Sequence, residues 1–418
     1  MSKLIIEGGN KLKGSINISG NKNAILPCMA ATLLTSDQVT LTNVPDISDV
    51  EVFLQIIKSL GVKVDRDDQS LKIWAEKIST SDLPEDLTNK LRGSVLLAGS
   101  LLGRTRKVTF HHPGGDIIGK RSIEPHFEGF EQLGYETVVT DGFYKINEKK
   151  VNTDCHIFLE MPFVTGTENL LLAAVLKPGS TVIRNAASEP HVVDLCMLLN
   201  KMGAQISGIG TRTLAVQGVE KLSGTEFEIG SDTIELGTYA IAAAITKGDI
   251  TLSNCKNIDL EPISWPLQKM GIRFDNTGDS IRIFSQKLTA IPELKTNVWP
   301  GFPTDLMSAA VVLATQAEGI SLLHDWMYES RMFFVDKLIN MGANITIADP
   351  HRVLVYGPTP LVGKELETPD IRAGMALVLA ALVAKGTSLI NRAELIDRGY
   401  EDVTGNLSKI GANIKKVD

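Results

Sequence analysis

The chain has 418 residues, of which 43% are hydrophobic and 22% are charged, and its formal net charge at pH 7 is −7. This composition is typical of globular proteins and argues against a disordered or fibrous chain. The acidic balance, without any long run of Lys or Arg, argues against a nucleic-acid partner. The length exceeds one ordinary core, so two domains of roughly 200 residues each are expected.

The N-terminal segment MSKLIIEGGNKLKG has no apolar stretch of signal-peptide length, and no segment offers the roughly 18 apolar residues of a membrane span. We therefore expect a cytoplasmic protein with no membrane partner. The four cysteines are scattered without a CxxC pair, which predicts reduced, mostly buried thiols. The seven histidines show no HxxxH or HExxH spacing, and neither a metal nor another cofactor is expected.

Six segments share an apolar helix end, a glycine and a strand-like tail. In chain order they read IIKSLGVKV, FEQLGYETV, LLNKMGAQI, LQKMGIRF, LINMGANITI and LSKIGANIKKV, and successive glycines lie 68 to 73 residues apart. Each glycine fits a left-handed cap at a helix end, because the missing side chain removes the steric penalty. The pattern predicts six copies of one unit of about 70 residues.

An alanine- and leucine-rich helix recurs in phase with these glycines. The copies read NAILPCMAATLL, SVLLAGSLLG, NLLLAAVLKPG, YAIAAAITKG, LMSAAVVLATQAEG and MALVLAALVAKG. They are apolar almost all round, which predicts burial inside a domain. A β-rich run such as DQVTLTNVP follows each copy, and a second helix then leads to the capping glycine. A solenoid of six stacked units is the rival architecture, although solenoid repeats usually have about 20 to 50 residues.

Four segments depart from the shared pattern and are therefore the candidates for chemistry. They carry Lys22 and Asn23 in SGNKNAILP, Asp116, Lys120 and Arg121 in HHPGGDIIGKR, Asp305 in GFPTDLMSAA, and Asp397 and Arg398 in LIDRGYEDV. Together and in this order, they closely resemble the UDP-N-acetylglucosamine 1-carboxyvinyltransferases, and the resemblance covers nearly the whole chain.

The resemblance implies an α/β fold, a two-lobed inside-out α/β barrel with three repeats per lobe. The N-terminal lobe is expected at residues 21–231 with a lid loop at 111–122, and the C-terminal lobe at residues 1–20 plus 232–418. The implied reaction transfers enolpyruvyl from phosphoenolpyruvate to the 3-hydroxyl of UDP-N-acetylglucosamine and releases phosphate, in the first committed step of peptidoglycan synthesis. A monomer or weak homo-oligomer is expected.

Enolpyruvyl transfer by addition and elimination needs cations for the phosphate and carboxylate, an acid near the methylene carbon, and a carboxylate at the sugar hydroxyl. The resemblance assigns Asp116 as the acid and Asp305 to the hydroxyl, which it orients or deprotonates. Lys22, with a catalytic role, Arg121 and Arg398 are expected to hold phosphoenolpyruvate. The further expected substrate contacts are Asn23, Arg92, Thr165, Thr167, Glu329, Arg331, Asp370 and Arg372.

The lid residue that is usually cysteine in this family is Asp116 here. Free aspartate has a pKa of about 3.9 against about 8.5 for cysteine, so burial or nearby negative charge, such as bound phosphate, must keep the acid protonated. A carboxylate is also a poorer nucleophile than a thiolate, so resistance to the epoxide fosfomycin is expected. The alternatives without a catalytic role are that Asp116 is a loop aspartate that caps a turn, and that Asp305 is a carboxylate that the helix dipole favours at a helix terminus.

A second departure is Phe163 in MPFVTGTENL, where family members often present Ser or Thr beside the uridine. Thr165 and Thr167 remain as hydroxyl donors. Alternative functions are transfer to another nucleotide or to shikimate phosphate, and a non-catalytic paralogue that binds nucleotide sugars. The shikimate-phosphate family lacks the lid loop PGGDIIGKR, and a pure binder would need neither Asp116 nor Asp305.

Overall fold

The computed structural model describes residues 2–116, 118–140, 142–256 and 258–417, which form two compact units. Unit 1 contains Met1–Ser19, Asp116–Lys120 and Ser231–Asp418, and unit 2 contains Gly20–Gly115 and Arg121–Gly230. The short segment Asp116–Lys120, hereafter the lid segment, thus belongs to unit 1 by its contacts although both of its flanks belong to unit 2.

The helices and strands follow the repeat. The α-helices are α1 (Lys22–Ala31), α2 (Ser48–Ser59), α3 (Glu85–Thr88), α4 (Leu96–Thr105), α5 (Glu124–Leu133), α6 (Val164–Ala174), α7 (Pro190–Lys201), α8 (Thr233–Ile245), α9 (Glu261–Lys269), α10 (Met307–Gln316), α11 (Val335–Asn340), α12 (Ile371–Val383) and α13 (Val403–Lys409). Short 3-10 helices lie at Thr32–Leu34, Arg92–Val95, Thr304–Leu306 and Ala393–Arg398.

The strands in chain order are β1 (Lys3–Glu7), β2 (Lys13–Asn17), β3 (Val39–Thr42), β4 (Lys63–Asp67), β5 (Ser70–Trp74), β6 (Lys107–His111), β7 (Tyr135–Thr140), β8 (Phe143–Glu148), β9 (Asp154–Phe158), β10 (Ser180–Arg184), β11 (Gln205–Ser207), β12 (Thr213–Gln217), β13 (Glu226–Glu228), β14 (Asp249–Ser253), β15 (Ile272–Asn276), β16 (Ile281–Ser285), β17 (Glu293–Lys295), β18 (Gly319–His324), β19 (Ile345–Asp349), β20 (Arg352–Gly357), β21 (Glu365–Glu367), β22 (Thr387–Asn391) and β23 (Asn413–Val417).

These strands form sheets of one recurring design, a parallel pair extended by two antiparallel strands. The orders are β13-β3-β5-β4 and β9-β10-β12-β11 in unit 2, and β2-β14-β16-β15, β17-β18-β20-β19 and β21-β22-β1-β23 in unit 1. The remaining described sheet, β6-β8-β7 in unit 2, has an isolated parallel bridge between Asp82 and Thr109 in the position of the fourth strand. The predicted six copies of one unit are therefore confirmed.

The chain ends complete the sheets of unit 1. Strand β1 pairs antiparallel with both β22 and β23, so that Ile5 lies opposite Leu389 and Lys415. Strand β2 pairs in parallel with β14. The first residues of the chain therefore belong to the unit that the last residues build.

The alanine- and leucine-rich helices form the two cores, as predicted. Helices α1, α4 and α6 pack together in unit 2, and α8, α10 and α12 pack together in unit 1. Every residue of α8 is buried. Because each unit surrounds a separate core, the solenoid alternative is wrong.

The local predictions on glycine and cysteine are also confirmed. The six repeat glycines have φ between 89° and 105°, the left-handed region that ends a helix without a Cβ clash. They are Gly61, Gly134, Gly203, Gly271, Gly342 and Gly411. All four cysteines are buried and unpaired. Within the described ranges, no helix has the length and hydropathy needed to cross a membrane.

Candidate active site

Most of the candidate site residues lie at or just before the N-termini of the buried helices in each unit. Lys22 and Asn23 open α1, Arg92 lies in the 3-10 turn before α4, Thr165 and Thr167 lie in the first turn of α6, Asp305 lies in the 3-10 turn before α10, and Asp370 and Arg372 flank the start of α12. Helix N-termini carry unsatisfied N–H groups and a partial positive charge. Each core helix therefore offers free N–H groups and a partial positive charge to an anion, at the same position of its repeat.

In unit 1, Asp305 is bound by two buried arginines. Its Oδ1 accepts a hydrogen bond from Arg331 Nη2 at 3.1 Å, and its Oδ2 accepts from Arg372 Nε at 3.1 Å and Nη2 at 2.9 Å. The arginine side chains are 2% and 5% exposed, whereas that of Asp305 is 27% exposed. Burial lowers the pKa of Arg372 but the Asp305 charge raises it, and the net shift is upward. Asp305 is therefore an anion that two cations position beside solvent.

Asp370 holds the start of α12 and joins the same cluster. Its Oδ1 accepts hydrogen bonds from the backbone N–H groups of Arg372 at 2.9 Å and Ala373 at 3.0 Å. Arg331 Nη1 lies 3.9 Å from the same oxygen. Burial raises the pKa of Asp370, Arg331 opposes this, and the charge of Asp116 adds to it. Asp370 is thus an N-cap that also lies close to the predicted acid.

Three hydrogen bonds join the described residues of the lid segment to other parts of unit 1. Asp116 Oδ1 accepts a hydrogen bond from Arg398 Nη1 at 2.6 Å, the carbonyl of Ile118 accepts from the N–H of Ser330 at 3.0 Å, and the N–H of Lys120 donates to Glu329 Oε2 at 3.1 Å. The long-range ion pair with Arg398 gives Asp116 a role beyond a local turn cap.

Glycine is required at the tip of the lid segment. Gly119 has φ of 141°, and a Cβ there would overlap the Glu329 carboxylate. Glu329, a predicted substrate contact, is therefore placed where it supports the lid backbone.

In unit 2, Lys22 pairs with Asp49, a partner that the sequence did not indicate. Lys22 Nζ lies 3.0 Å from Asp49 Oδ2, and the two side chains are 13% and 4% exposed. The preceding Asn21 caps α1 by accepting from the N–H of Asn23 at 2.8 Å. The N-terminus of α1 therefore carries the Lys22 ammonium group, which Asp49 holds in place, and Asn23 is the next residue of the helix.

Arg92 supports the other side of the lid loop. Its Nη2 donates to the carbonyl oxygens of Arg121 at 2.5 Å and Ser122 at 3.0 Å. A predicted anion contact thus fixes the backbone that carries Arg121, a second predicted cation.

A hydrogen-bonded histidine of α5, His126, lies beside the start of α6. Asn169 donates to His126 Nδ1 at 3.0 Å, so the ring proton sits on Nε2, which lies 3.3 Å from Thr165 Oγ1. Burial, with a smaller effect of Arg92, lowers the pKa of His126 to about 3, and the ring stays neutral. The Thr165 hydroxyl accepts from this ring and keeps its own proton for another acceptor.

Thr167 and Phe163 lie beside this histidine. Thr167 is fully buried, and its hydroxyl donates to the Phe163 carbonyl and accepts from the Ala187 N–H, both at 2.9 Å. The Phe163 ring meets the His126 ring edge-on at 4.8 Å between centroids. The predicted nucleotide contact in this segment therefore depends on Thr165.

The N-terminus of α8 carries a polar residue, Asp232, that is not among the predicted site residues. Asp232 caps α8, with Oδ1 accepting from the N–H of Ile234 at 2.8 Å and of Glu235 at 2.9 Å. Aligning the repeats would have pointed to this helix start, because the other five buried helices carry candidate residues there.

The sequence as a whole matches a known family. The family described as EPSP synthase (3-phosphoshikimate 1-carboxyvinyltransferase) matches residues 6–407. Proteins named UDP-N-acetylglucosamine 1-carboxyvinyltransferase are 45% identical over 99% of both chains in Treponema denticola, and 44% identical over 99% of this chain and 97% of the relative in Bradyrhizobium diazoefficiens. The chain belongs to the family of UDP-N-acetylglucosamine 1-carboxyvinyltransferases, as the resemblance predicted.

Solved structures confirm the predicted fold. The enolpyruvyl transferase NikO from Streptomyces tendae superposes with a TM-score of 0.90 at 24% identity, covering 100% of this chain and 99% of that chain. EPSP synthase from Acinetobacter baumannii superposes with a TM-score of 0.76 at 19% identity over 100% of both chains. At these identities the likeness concerns the fold alone.

Proposed function

We propose that this enzyme transfers the enolpyruvyl group of phosphoenolpyruvate to the 3-hydroxyl of UDP-N-acetylglucosamine and releases phosphate, as a step of peptidoglycan synthesis. The observation that carries the proposal is the cluster in unit 1, where Asp305 lies between two buried arginines and Asp116 is bonded to Arg398. Addition and elimination need a positioned carboxylate, an acid and cations for phosphate, and this cluster supplies each of them.

Asp116 is the proposed proton donor to the methylene carbon of phosphoenolpyruvate. Protonation there makes the adjacent carbon electrophilic, and the sugar hydroxyl attacks it. Asp305 accepts a hydrogen bond from that hydroxyl and takes its proton as the C–O bond forms, when the hydroxyl becomes strongly acidic. In the elimination, a proton returns from the new methyl group to the Asp116 carboxylate as the C–O bond to phosphate breaks, so the C=C bond is restored and phosphate leaves. Asp305 then gives its proton to solvent. Because two guanidinium groups stabilise Asp305 as an anion, orientation of the hydroxyl is its first contribution.

The cations for phosphoenolpyruvate are Lys22, Arg121 and Arg398, with Arg92 and Arg372 supporting them. Asn23 and Thr165 are assigned to the sugar nucleotide, and the Thr165 hydroxyl beside His126 Nε2 supports this assignment. Thr167, the other threonine expected there, is buried and acts by bonding the backbone of Phe163 and Ala187. Glu329 holds the lid segment in place, Arg331 holds Asp305, and Asp370 lies beside Arg331 at the start of α12. The proposed enzyme is cytoplasmic, uses no cofactor and acts as a monomer or weak homo-oligomer.

Phosphate release tests the proposal. Wild type is incubated with phosphoenolpyruvate and either UDP-N-acetylglucosamine, UMP or shikimate 3-phosphate, over a range of pH. We expect release with UDP-N-acetylglucosamine, loss in Asp116→Asn, and activity in Asp116→Cys.

Asp397→Asn is the matched control, because Asp397 precedes Arg398 but pairs with the surface residue Lys416 at 2.5 Å. It should behave as wild type. Release with only another acceptor would reassign the substrate, and no release with any acceptor would indicate a non-catalytic binding protein.

A further inference from the structure

Arg372 binds Asp305 through two N–H groups that share one acceptor. Nε and Nη2 both donate to Oδ2 of the carboxylate. A guanidinium fork that meets both oxygens of a carboxylate aligns the two planes, whereas a fork that meets one oxygen leaves the guanidinium able to tilt about that oxygen. A further contact is therefore needed to fix the plane of Arg372, and with it the direction in which Asp305 is held.

The ring of Tyr400 supplies this contact. The guanidinium carbon of Arg372, Cζ, lies over the Tyr400 ring at 5.2 Å from its centroid, within the range of a cation–π interaction. Both residues are buried, so little water competes with the contact. Burial lowers the pKa of Arg372, but the charge of Asp305 and then Tyr400 raise it. The ring thus lies against the guanidinium and stabilises its charge.

The hydroxyl of Tyr400 is anchored on α8. Its oxygen lies 3.0 Å from Thr238 Oγ1, and the Thr238 hydroxyl donates to the carbonyl of Ile234 at 2.7 Å, one turn earlier in the helix. Because that bond uses the only hydroxyl proton of Thr238, Tyr400 donates its own proton to Thr238. Burial raises the pKa of Tyr400 against the effect of Arg372, so the hydroxyl keeps this proton. The buried helix α8 therefore fixes the position of the ring.

We propose that Tyr400 is a positioning residue for the transfer reaction: anchored to Thr238, its ring sets the plane of Arg372, and Arg372 directs the Asp305 carboxylate toward the sugar hydroxyl. This rests on the proposed function, because it acts through the role assigned to Asp305. A reacting group misplaced by about 1 Å can lose about 10²-fold in rate, so a residue that only orients Asp305 has a measurable effect.

Tyr400 also lies two positions after Arg398, a cation assigned to phosphoenolpyruvate, and the two connections predict different kinetics. Poor orientation of Asp305 slows the chemical step and leaves substrate binding unchanged. Displacement of Arg398 weakens the binding of phosphoenolpyruvate, which raises the concentration needed for half saturation. Rate and half saturation measured together therefore show which connection operates.

Two variants break the anchor at either end. Tyr400→Phe keeps the ring and removes the hydroxyl, and Thr238→Val keeps a side chain of similar shape and removes the acceptor. Tyr135→Phe is the matched control, because Tyr135 is 3% exposed like Tyr400 and its hydroxyl donates to the Leu102 carbonyl at 3.1 Å in unit 2.

Phosphate release is followed in single turnovers, with enzyme in excess over UDP-N-acetylglucosamine and with increasing phosphoenolpyruvate. Urea unfolding gives the stability of each variant. We expect Tyr400→Phe and Thr238→Val each to lower the maximal single-turnover rate about 5-fold, the equivalent of one hydrogen bond, with half saturation by phosphoenolpyruvate within about twofold of wild type. The double variant should be no slower than either single variant, because both changes break the same anchor.

Tyr135→Phe should lose similar stability and keep the wild-type rate. Unchanged maximal rates in Tyr400→Phe and Thr238→Val, or an equal loss of rate in Tyr135→Phe, would overturn the positioning role. A weaker half saturation with an unchanged maximal rate would overturn it too, since Tyr400 would then act through Arg398. If Tyr400→Phe does not fold, Thr238→Val decides the question. Absence of phosphate release from wild type would refute the proposed function, and this role with it.

Discussion

Arg372 donates two hydrogen bonds to a single carboxylate oxygen of Asp305, from Nε at 3.1 Å and from Nη2 at 2.9 Å. The other oxygen is thereby left for Arg331, whose Nη2 lies 3.1 Å away. Asp305 therefore bridges two guanidinium groups that are almost completely buried, and Asp370, 3.9 Å from Arg331, supplies the second negative charge of the cluster. Removing its charge would leave both cations without their shared partner.

Asp305→Asn should reduce stability and activity together. Leaving a buried charge uncompensated is strongly destabilising, so we expect a fall of about 3 kcal/mol in the free energy of unfolding. Phosphate release should fall by about 10²- to 10⁴-fold, because the sugar hydroxyl loses its proton acceptor. Urea unfolding and the phosphate assay measure the two effects.

The double variant Asp305→Asn with Arg331→Met separates them. Removing one of the two cations should restore part of the stability and none of the activity. A change in unfolding free energy below about 0.5 kcal/mol in the single variant would mean that Asp305 does not balance these arginines.

Fosfomycin should not inactivate the wild-type enzyme. The drug must be opened by a nucleophile on the lid, and a carboxylate bonded to Arg398 is a weak nucleophile toward an epoxide. Asp116→Cys should become sensitive and gain the mass of one drug molecule. Intact-protein mass spectrometry and residual activity measure this, and a stoichiometric adduct on Asp116 of the wild type would contradict the prediction.

Glu235 should make stability depend on pH. Its Oε2 accepts from the Ser19 N–H at 2.8 Å and from the Ser19 hydroxyl at 2.6 Å, and the carboxyl group is buried. Burial raises the pKa of Glu235 to about 8, Ser19 opposes the shift, and Asp232 adds to it. The folded state thus holds a proton that the unfolded state releases above its ordinary carboxyl pKa. This stabilising contribution is complete at low pH and is lost as the pH rises toward about 8.

Glu235→Gln keeps an acceptor for Ser19 but cannot ionise. Between about pH 5 and 8, the wild-type free energy of unfolding should therefore fall relative to that of the variant, by at most about 1.4 kcal/mol per pH unit. Urea unfolding at several pH values measures the difference. Parallel pH profiles for the two proteins would show that Glu235 is not held protonated.

The repeat glycines provide a matched pair of stability tests. Gly203 and Gly134 have φ of 105° and 100°, but a Cβ would meet nothing near Gly203, whereas it would overlap the Lys150 carbonyl oxygen at Gly134. Gly203→Ala should cost about 1 kcal/mol from the left-handed conformation alone. Gly134→Ala should cost more because the backbone must also move. Equal losses in chemical denaturation would contradict this ranking.

The repeats could be predicted from the sequence because they obey local rules. A glycine is required wherever a helix must end with positive φ, and an apolar segment such as α8 must be buried because water cannot solvate it favourably. These requirements recur about every 70 residues, so the sequence determined the number of units and the identity of the core helices. The departures from the repeat also led to Asp116, Asp305 and Arg398.

Only the tertiary structure decided how these residues are paired. Asp305 and Arg372 are 67 positions apart, and Asp116 and Arg398 are 282 apart. Nothing in the neighbouring sequence specifies such partners, because they meet only when distant segments of the chain pack together. The same holds for Asp49, which binds Lys22 from another helix. Local sequence fixed which groups are present, whereas long-range packing fixed which charges face each other.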